Sequence, residues 1–135
     1  MIAVLCLDDR EGMLFHERRQ SRDRKVTEKI LELAEGSRLW IHPFSQPLFA
    51  KCAAGNLTVD ERFLEEAEEG EYCFVENQGL GAWENRLEKI VIFRWNRHYP
   101  ADFYLDICLE RWKKTGEEEF AGYSHEKITR EVYEK

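Results

Sequence analysis

The sequence predicts an α/β domain, and three of its segments carry that prediction. Residues 72–75 and 90–93 are apolar, rich in β-branched and aromatic side chains and without polar alternation, as expected of strands covered on both faces. The fourteen residues between them, 76–89, are enough for a helical crossover, which would make the two strands a parallel pair. Residues 127–133, by contrast, alternate; a helix is possible there, but the β-branched side chains favour a last strand.

The first third of the chain predicts a strand, a loop and a helix. Residues 2–7 form an apolar run that ends in a polar turn, and a polar, arginine-rich loop follows over residues 12–20. Ser21 is placed to cap a helix that starts at Arg22, with Asp23 in its first turn. Apolar side chains then recur at helical spacing until a glycine ends the helix.

The middle and end of the chain predict shorter elements. The expected strands are residues 38–41, 57–59 and 102–108. The expected helices are residues 44–54 and a helix capped by Asp60, and Thr115-Gly116 is expected to form a turn. Strands and helices are therefore expected to alternate along most of the chain, followed by a C-terminal segment without that alternation.

Length and composition predict one domain. Of the 135 residues, 43% are apolar and 13% aromatic, enough to fill a core. The apolar start, residues 1–7, is too short for a signal peptide, and no stretch approaches the roughly 20 apolar residues of a membrane span. We therefore expect a cytoplasmic protein without a membrane partner. The dispersed cysteines and histidines predict no disulfide and no metal site.

The charge pattern argues against general binding of nucleic acid. The formal net charge is −7, which opposes attraction to polyanions. The exception is a basic cluster of five cations within residues 18–25, and an acidic block follows at residues 61–71. Solvated surface is the favoured interpretation of both. The cluster consists of Arg18, Arg19, Arg22, Arg24 and Lys25.

The order of these elements resembles dihydrofolate reductase, and short stretches of sequence do so as well. Residues 2–12 are similar to the first strand of that family and the start of its substrate loop, and residues 21–23 to the entry of its first helix. Residues 100–104 with Trp112, and residues 124–134, are similar to its later strands. The resemblance implies a three-layer fold in which a mixed, mostly parallel sheet carries an antiparallel C-terminal strand.

The resemblance also implies site residues and a cofactor. Asp23 falls where the family holds its substrate-binding carboxylate, and would act as a proton-relay acid in a pocket that raises its pKa. A helix carboxylate without a catalytic role is the favoured alternative. The family binds NADPH, and the positions that match its cofactor site, or that could rebuild it, are His42, Ser45, Asn77, Gly79, Gly81 and Trp83.

The cofactor motifs depart from the family pattern. Glu76-Asn77 replaces the pair of glycines that lets a pyrophosphate approach the backbone, and residues 42–45 replace the phosphate-gripping motif. Gly79 and Gly81 could rebuild a shifted loop, and Trp83 could stack a flat ring, although core packing is its favoured role. These departures make NADPH binding doubtful.

Three functions therefore stay open at the level of sequence. The favoured one is a domain that binds a small planar or phosphorylated ligand without hydride transfer. The second is an active NADPH-dependent reductase of a pterin- or flavin-like heterocycle, which relies on Asp23. The third is a ribonuclease-like hydrolase that uses the basic cluster and His16 with His98 or His125. No serine lies in a nucleophile motif, and edge strands leave a homodimer open.

Overall fold

The computed structural model describes residues 1–52 and 55–135, and one sheet of seven strands runs through this part of the chain. Five neighbouring strands are parallel to one another, and at one edge of the sheet the last strand in sequence pairs antiparallel with the strand on each side of it. In spatial order the strands are β5 (Leu57–Val59), β4 (Leu39–Ile41), β6 (Tyr72–Phe74), β1 (Ile2–Leu7), β7 (Lys89–Arg94), β10 (Ile128–Glu134) and β9 (Lys113–Phe120).

Side-chain alternation along β1 divides the core into two layers. Ala3, Leu5 and Leu7 point to one face of the sheet, and Ile2 and Val4 to the other. All five are buried, as the unbroken apolar run predicts for a central strand. The second layer is covered by helix α1 (Arg24–Leu33) and a 3₁₀ helix (Pro43–Phe49).

The first layer is covered by short elements. They are helix α2 (Phe63–Glu66), two 3₁₀ helices (Gly81–Arg86 and Leu109–Arg111), and part of a second sheet. That sheet holds β2 (Gly12–Phe15) between β3 (Arg18–Arg19) and β8 (Phe103–Tyr104). Among the described residues, no helix is both long and apolar enough to cross a membrane.

Several predicted elements have a different form in the structure. The arginine-rich stretch 12–20 is a hairpin, not a loop, and its two turn residues, His16 and Glu17, both have positive φ. The strands predicted at residues 72–75 and 90–93 are parallel but not adjacent, because β1 lies between them. Their link contains only the 3₁₀ helix Gly81–Arg86.

Three further corrections concern local boundaries. Thr115-Gly116 lies within β9 and forms no turn, and only Phe103–Tyr104 of the predicted strand 102–108 is β structure. The predicted helix 44–54 is a 3₁₀ helix that ends at Phe49, and the part of that prediction on residues 53–54 lies outside the described residues. The remaining predicted strands are present with boundaries shifted by a residue or two.

Candidate functional site

The carboxyl ends of three parallel strands and the start of α1 enclose what we call the strand-end pocket. Its wall includes Cys6 from β1, Glu76 after β6 and Trp95 after β7, with Ser21 and Asp23 on the side of α1. This is the edge where open α/β sheets bind ligands. The enclosed space measures about 20 Å³, which is room for about one water molecule. Apolar side chains and the ion pair described next fill the rest.

An ion pair joins the β2–β3 hairpin to the end of β6 at this pocket. The Arg19 guanidinium donates to both carboxylate oxygens of Glu76, at 2.9 and 2.8 Å, and to the Phe44 carbonyl at 3.1 Å. The buried Ser45 hydroxyl donates to Glu76 Oε1 at 2.7 Å. Burial and the charge of Glu76 raise the pKa of the Cys6 thiol behind the pair well above its usual range. Cys6 is therefore a protonated, unreactive part of the wall.

Asp23 is the N-cap of α1, and both of its carboxylate oxygens accept several hydrogen bonds. Oδ1 accepts from the amides of Lys25 at 2.8 Å and Tyr123 at 3.0 Å. Oδ2 accepts from the Ser124 amide at 2.9 Å and its hydroxyl at 3.1 Å, and lies 2.9 Å from His125 Nδ1. Its side chain is fully buried. One carboxylate thus ties the first helix to the turn between β9 and β10.

Hydrogen bonding keeps Asp23 ionised. Burial alone would raise its pKa, but the hydrogen bonds from His125 and from the amides of Ser124, Tyr123 and Lys25 hold the pKa far below its usual value. The expectation of a raised pKa is therefore wrong. Helix α1 also begins at Arg24 with Asp23 as its cap, not at Arg22 with Ser21 as its cap.

The segment after β6 binds a carboxylate of the protein itself. The amides of Leu80 and Gly81 donate to Asp106 at 2.8 to 3.1 Å. A side chain at Gly79 or Gly81 would approach Asp106 Oδ2 to 2.8 or 3.0 Å, so the Asp106 carboxylate would have to shift to accommodate it. The amides that could face a cofactor phosphate are thus paired with Asp106.

The other predicted cofactor residues lie around the same edge without forming one surface. His42 Nδ1 accepts from the Phe44 amide at 3.0 Å, which caps the 3₁₀ helix. Asn77 lines a separate opening beside Phe44, and its buried side-chain oxygen has no partner among the described residues. Trp83 is half-buried on the first core layer, with the Arg86 guanidinium 5.7 Å from its ring centre.

A groove of about 450 Å³ runs between α1 and the 3₁₀ helix Pro43–Phe49, and we call it the basic groove. Three cations line it, Arg22, Arg24 and Lys51, and so do the apolar side chains of Pro47 and Leu48. None of the three forms an ion pair with a carboxylate in the described part of the chain. Its one carboxylate, Glu28, accepts from the Tyr123 hydroxyl at 3.2 Å.

No protein-family model matches this chain, and no curated protein matches it. A solved structure of dihydrofolate reductase from Enterococcus faecalis, complexed with NADP(H) and RAB-propyl, is similar to it with a TM-score of 0.68. The match covers 99% of this chain and 95% of that one at 11% sequence identity. The chain has a dihydrofolate reductase-like fold. The fold class predicted from the sequence is confirmed, while identity this low shows the fold alone.

The structure separates the residues that the sequence grouped together. Within this fold, Arg19 of the basic cluster is paired with Glu76, whereas Arg22 and Arg24 line the basic groove. The Ser45 hydroxyl donates to Glu76, and the backbone at Gly79 and Gly81 lies against the Asp106 carboxylate. The roles of Asp23 and the predicted cofactor residues stay predictions. In the described ranges, no group of three or more acidic, histidine or cysteine side chains could hold a metal ion.

The structure adds two contacts that sequence reasoning did not predict, one to Asp23 and one to the basic cluster. His125 is buried and contacts Asp23, although 102 residues separate them in sequence. Lys51 joins Arg22 and Arg24 from a different element. No local pattern could have found either, because both contacts depend on how distant segments pack.

Proposed function

We propose that this chain binds a small anionic ligand, a phosphorylated compound with a planar ring, and does not transfer hydride from NADPH. The observation that carries the proposal is the basic groove, where Arg22, Arg24 and Lys51 form no ion pair with a carboxylate of the described residues. Three unpaired cations in one concave site attract an anion even on a chain of net charge −7, since nearby charges dominate over distant, screened ones.

The apolar part of the groove lining supports a ligand with a flat apolar part. Pro47 and Leu48 line the groove together with the cations. A volume of about 450 Å³ lies in the range of about 300 to 1,000 Å³ typical of small-molecule sites. Guanidinium groups bind phosphate oxygens through paired, charge-assisted hydrogen bonds.

The strand-end pocket supports the loss of hydride transfer. A nicotinamide and a reducible ring need a shared cavity there, whereas the space of about 20 Å³ admits about one water. The carboxylate of Glu76 stands where the family has glycine, and a carboxylate repels a pyrophosphate. Asp106 pairs with the amides of Leu80 and Gly81 and adds a second negative charge.

Ligand titrations at low salt test this proposal. Tryptophan fluorescence is followed while adenosine monophosphate, flavin mononucleotide, inorganic phosphate or NADPH is added. We expect saturable binding of a planar phosphate compound and weaker binding of phosphate alone. In the variant Arg24→Gln with Lys51→Gln, affinity should fall about 10-fold or more, because each lost charged hydrogen bond costs about 1.5 kcal/mol or more.

The control is a double variant that loses the same two positive charges outside the basic groove. Arg111 and Lys113 are exposed and form no ion pair in the described part of the chain, so Arg111→Gln with Lys113→Gln should leave affinity within about 2-fold. Equal loss in both double variants, or no binding at millimolar ligand, would contradict the proposal. Selective binding and oxidation of NADPH would support the reductase instead.

A further inference from the structure

Ser21 and Asp23 line the strand-end pocket, and His125 lies between their side chains. Ser21 Oγ is 2.9 Å from His125 Nε2, and His125 Nδ1 is 2.9 Å from Asp23 Oδ2. A hydroxyl, an imidazole and a carboxylate joined in this order form the arrangement that activates serine nucleophiles in acyl transfer. The three residues come from a loop, the β9–β10 turn and a helix cap, so no sequence motif marks them.

The hydrogen bonds determine which nitrogen of His125 carries the proton. Asp23 is ionised and can only accept, so Nδ1 donates to it. With Nδ1 as the donor, a ring that carries one proton has Nε2 as its acceptor, and the Ser21 hydroxyl lies 2.9 Å and the Tyr99 hydroxyl 3.4 Å from Nε2. This is the tautomer that a general base needs in order to take the proton of a serine.

The surroundings hold the imidazole and the carboxylate in place. Trp95 stacks on the His125 ring with centres 4.6 Å apart. The turn that carries His125 can lie on Asp23 only because residue 122 is glycine, since a side chain there would overlap Asp23 Oδ2 and lie 2.8 Å from Ile128 Cδ1. His125 and Asp23 are buried, whereas Ser21 is partly exposed.

Donors for a developing negative charge lie next to the serine. The amides of Arg22 and Asp23 donate to no acceptor within the described residues. The amide that follows a nucleophilic serine commonly stabilises the oxyanion of the tetrahedral intermediate. Arg22 lines both the strand-end pocket and the basic groove.

We propose that Ser21 is the nucleophile of an acyl-transfer centre that hydrolyses small esters. Ser21 Oγ attacks the ester carbonyl carbon, and its proton passes to His125 Nε2. Collapse of the tetrahedral intermediate breaks the bond to the alcohol, which leaves with the proton from His125. Water then attacks the acyl-serine, gives a proton to His125, and releases the acid as the proton returns to Ser21.

The cations of the basic groove favour an ester that carries a negative charge. Arg22 follows the nucleophile directly, and Arg24 and Lys51 line the same groove. The strand-end pocket that Ser21 lines admits only about one water, so the ester would lie outside it, on the exposed side of Ser21, with its carboxylate or phosphate on these cations. This substrate class rests on the proposed function, whereas the nucleophile itself does not.

A fluorophosphonate probe tests the nucleophile without any need for the groove. An activated serine forms an O–P bond as fluoride leaves, and peptide mass spectrometry identifies the labelled residue. We expect labelling at Ser21 and hydrolysis of p-nitrophenyl acetate, with kcat/KM lowered at least about 10-fold in Ser21→Ala. The control is Ser37→Ala, because the hydroxyl of Ser37 donates to the Gly70 carbonyl at an exposed site and should leave both readouts unchanged.

Asp23 acts on Ser21 through His125. Its test must therefore measure a property of the reaction that would not change if Asp23 only stabilised the fold. The wild-type rate should rise sigmoidally with pH, and Asp23→Asn should lower kcat more than KM and change that profile, as loss of the correct tautomer does. Where Asp23→Asn fails to fold, labelling of the folded wild type at Ser21 and its loss in Ser21→Ala decide the matter. No labelling at Ser21, or equal ester hydrolysis in Ser21→Ala, overturns the proposal.

A charged ester separates the two proposals. We expect p-nitrophenyl succinate to be preferred over the acetate, and the preference to disappear in Arg24→Gln with Lys51→Gln. Labelling at Ser21 without that preference overturns the substrate class and leaves the nucleophile standing. Saturable binding of a planar phosphate compound without labelling overturns acyl transfer and leaves the proposed function standing.

Discussion

Asp23 shows how much of this molecule depends on one carboxylate. It caps α1 through the Lys25 amide and holds the β9–β10 turn through the amides of Tyr123 and Ser124. These segments lie about a hundred residues apart in sequence. Several donors stabilise the ionised carboxylate of Asp23 more than its protonated form. This difference lowers the pKa of Asp23.

Stability should therefore depend on pH through Asp23. In the unfolded chain its carboxyl titrates near the ordinary value of 3.8, and in the folded chain well below it. The unfolded state thus binds a proton first as the pH falls, and the contribution of Asp23 is present above about pH 4 and lost below it. We expect Asp23→Asn to lower the free energy of unfolding by about 1 to 3 kcal/mol at neutral pH and less in acid.

Urea unfolding between about pH 7 and pH 3 measures this difference. Asp60→Asn is the matched control, since Asp60 accepts from the Arg62 amide at an exposed site. Its effect should stay within about 0.5 kcal/mol across the same range. A constant gap between wild type and Asp23→Asn down to the lowest pH would contradict the role given to this carboxyl group.

At the scale of elements, the β2–β3 hairpin is held to the sheet by a partly buried ion pair. Arg19 and Glu76 have side chains that are 21% and 10% exposed, so they are screened less than surface pairs. If either side chain is removed alone, the other keeps an unpaired, partly buried charge, and this lowers the stability of the protein. The hairpin is thereby kept over the strand-end pocket.

A double-mutant cycle measures this attachment. From Arg19→Met, Glu76→Gln and the double variant, we expect a coupling free energy of about 1 to 3 kcal/mol. The exposed pair Arg62 and Glu65, replaced in the same way, should give less than about 1 kcal/mol. Equal couplings in the two cycles would mean that the Arg19 pair does not hold the hairpin.

The strands that sequence reasoning missed carry no local sequence signal for strand structure. The β2–β3 hairpin has a turn of His16 and Glu17 in place of the usual glycine or asparagine, so no turn signal marks it. β9 is an edge strand of lysine, glutamate and glycine, and its strand form comes from pairing with β10. Apolar strands such as β1 and β7 were predictable because burial on both faces selects their composition.

At the scale of the whole molecule, two core layers share one sheet. Leu5 belongs to one layer and Ile30 of α1 to the other, and both are almost fully buried. If the chain is one domain, as its length predicts, both layers unfold together. We expect Leu5→Ala and Ile30→Ala each to cost about 2 to 5 kcal/mol and to shift one common transition.

Urea unfolding followed by tryptophan fluorescence and by far-ultraviolet circular dichroism checks this expectation. The two signals should coincide in wild type and in both variants, while Thr115→Ala on the exposed edge should change stability by less than about 0.5 kcal/mol. Two transitions, one of which responds to a single variant, would show that the layers fold separately.

The sequence by itself determined the class of fold and most of its strands. Apolar runs and their alternation are local, and they reflect burial that any packing of those segments must provide. Only the tertiary structure decided the site. The contact between Ser21 and His125 spans 104 residues, and the groove cations come from separate elements. Such contacts depend on strand order and on how α1 meets the β9–β10 turn, which no local pattern encodes.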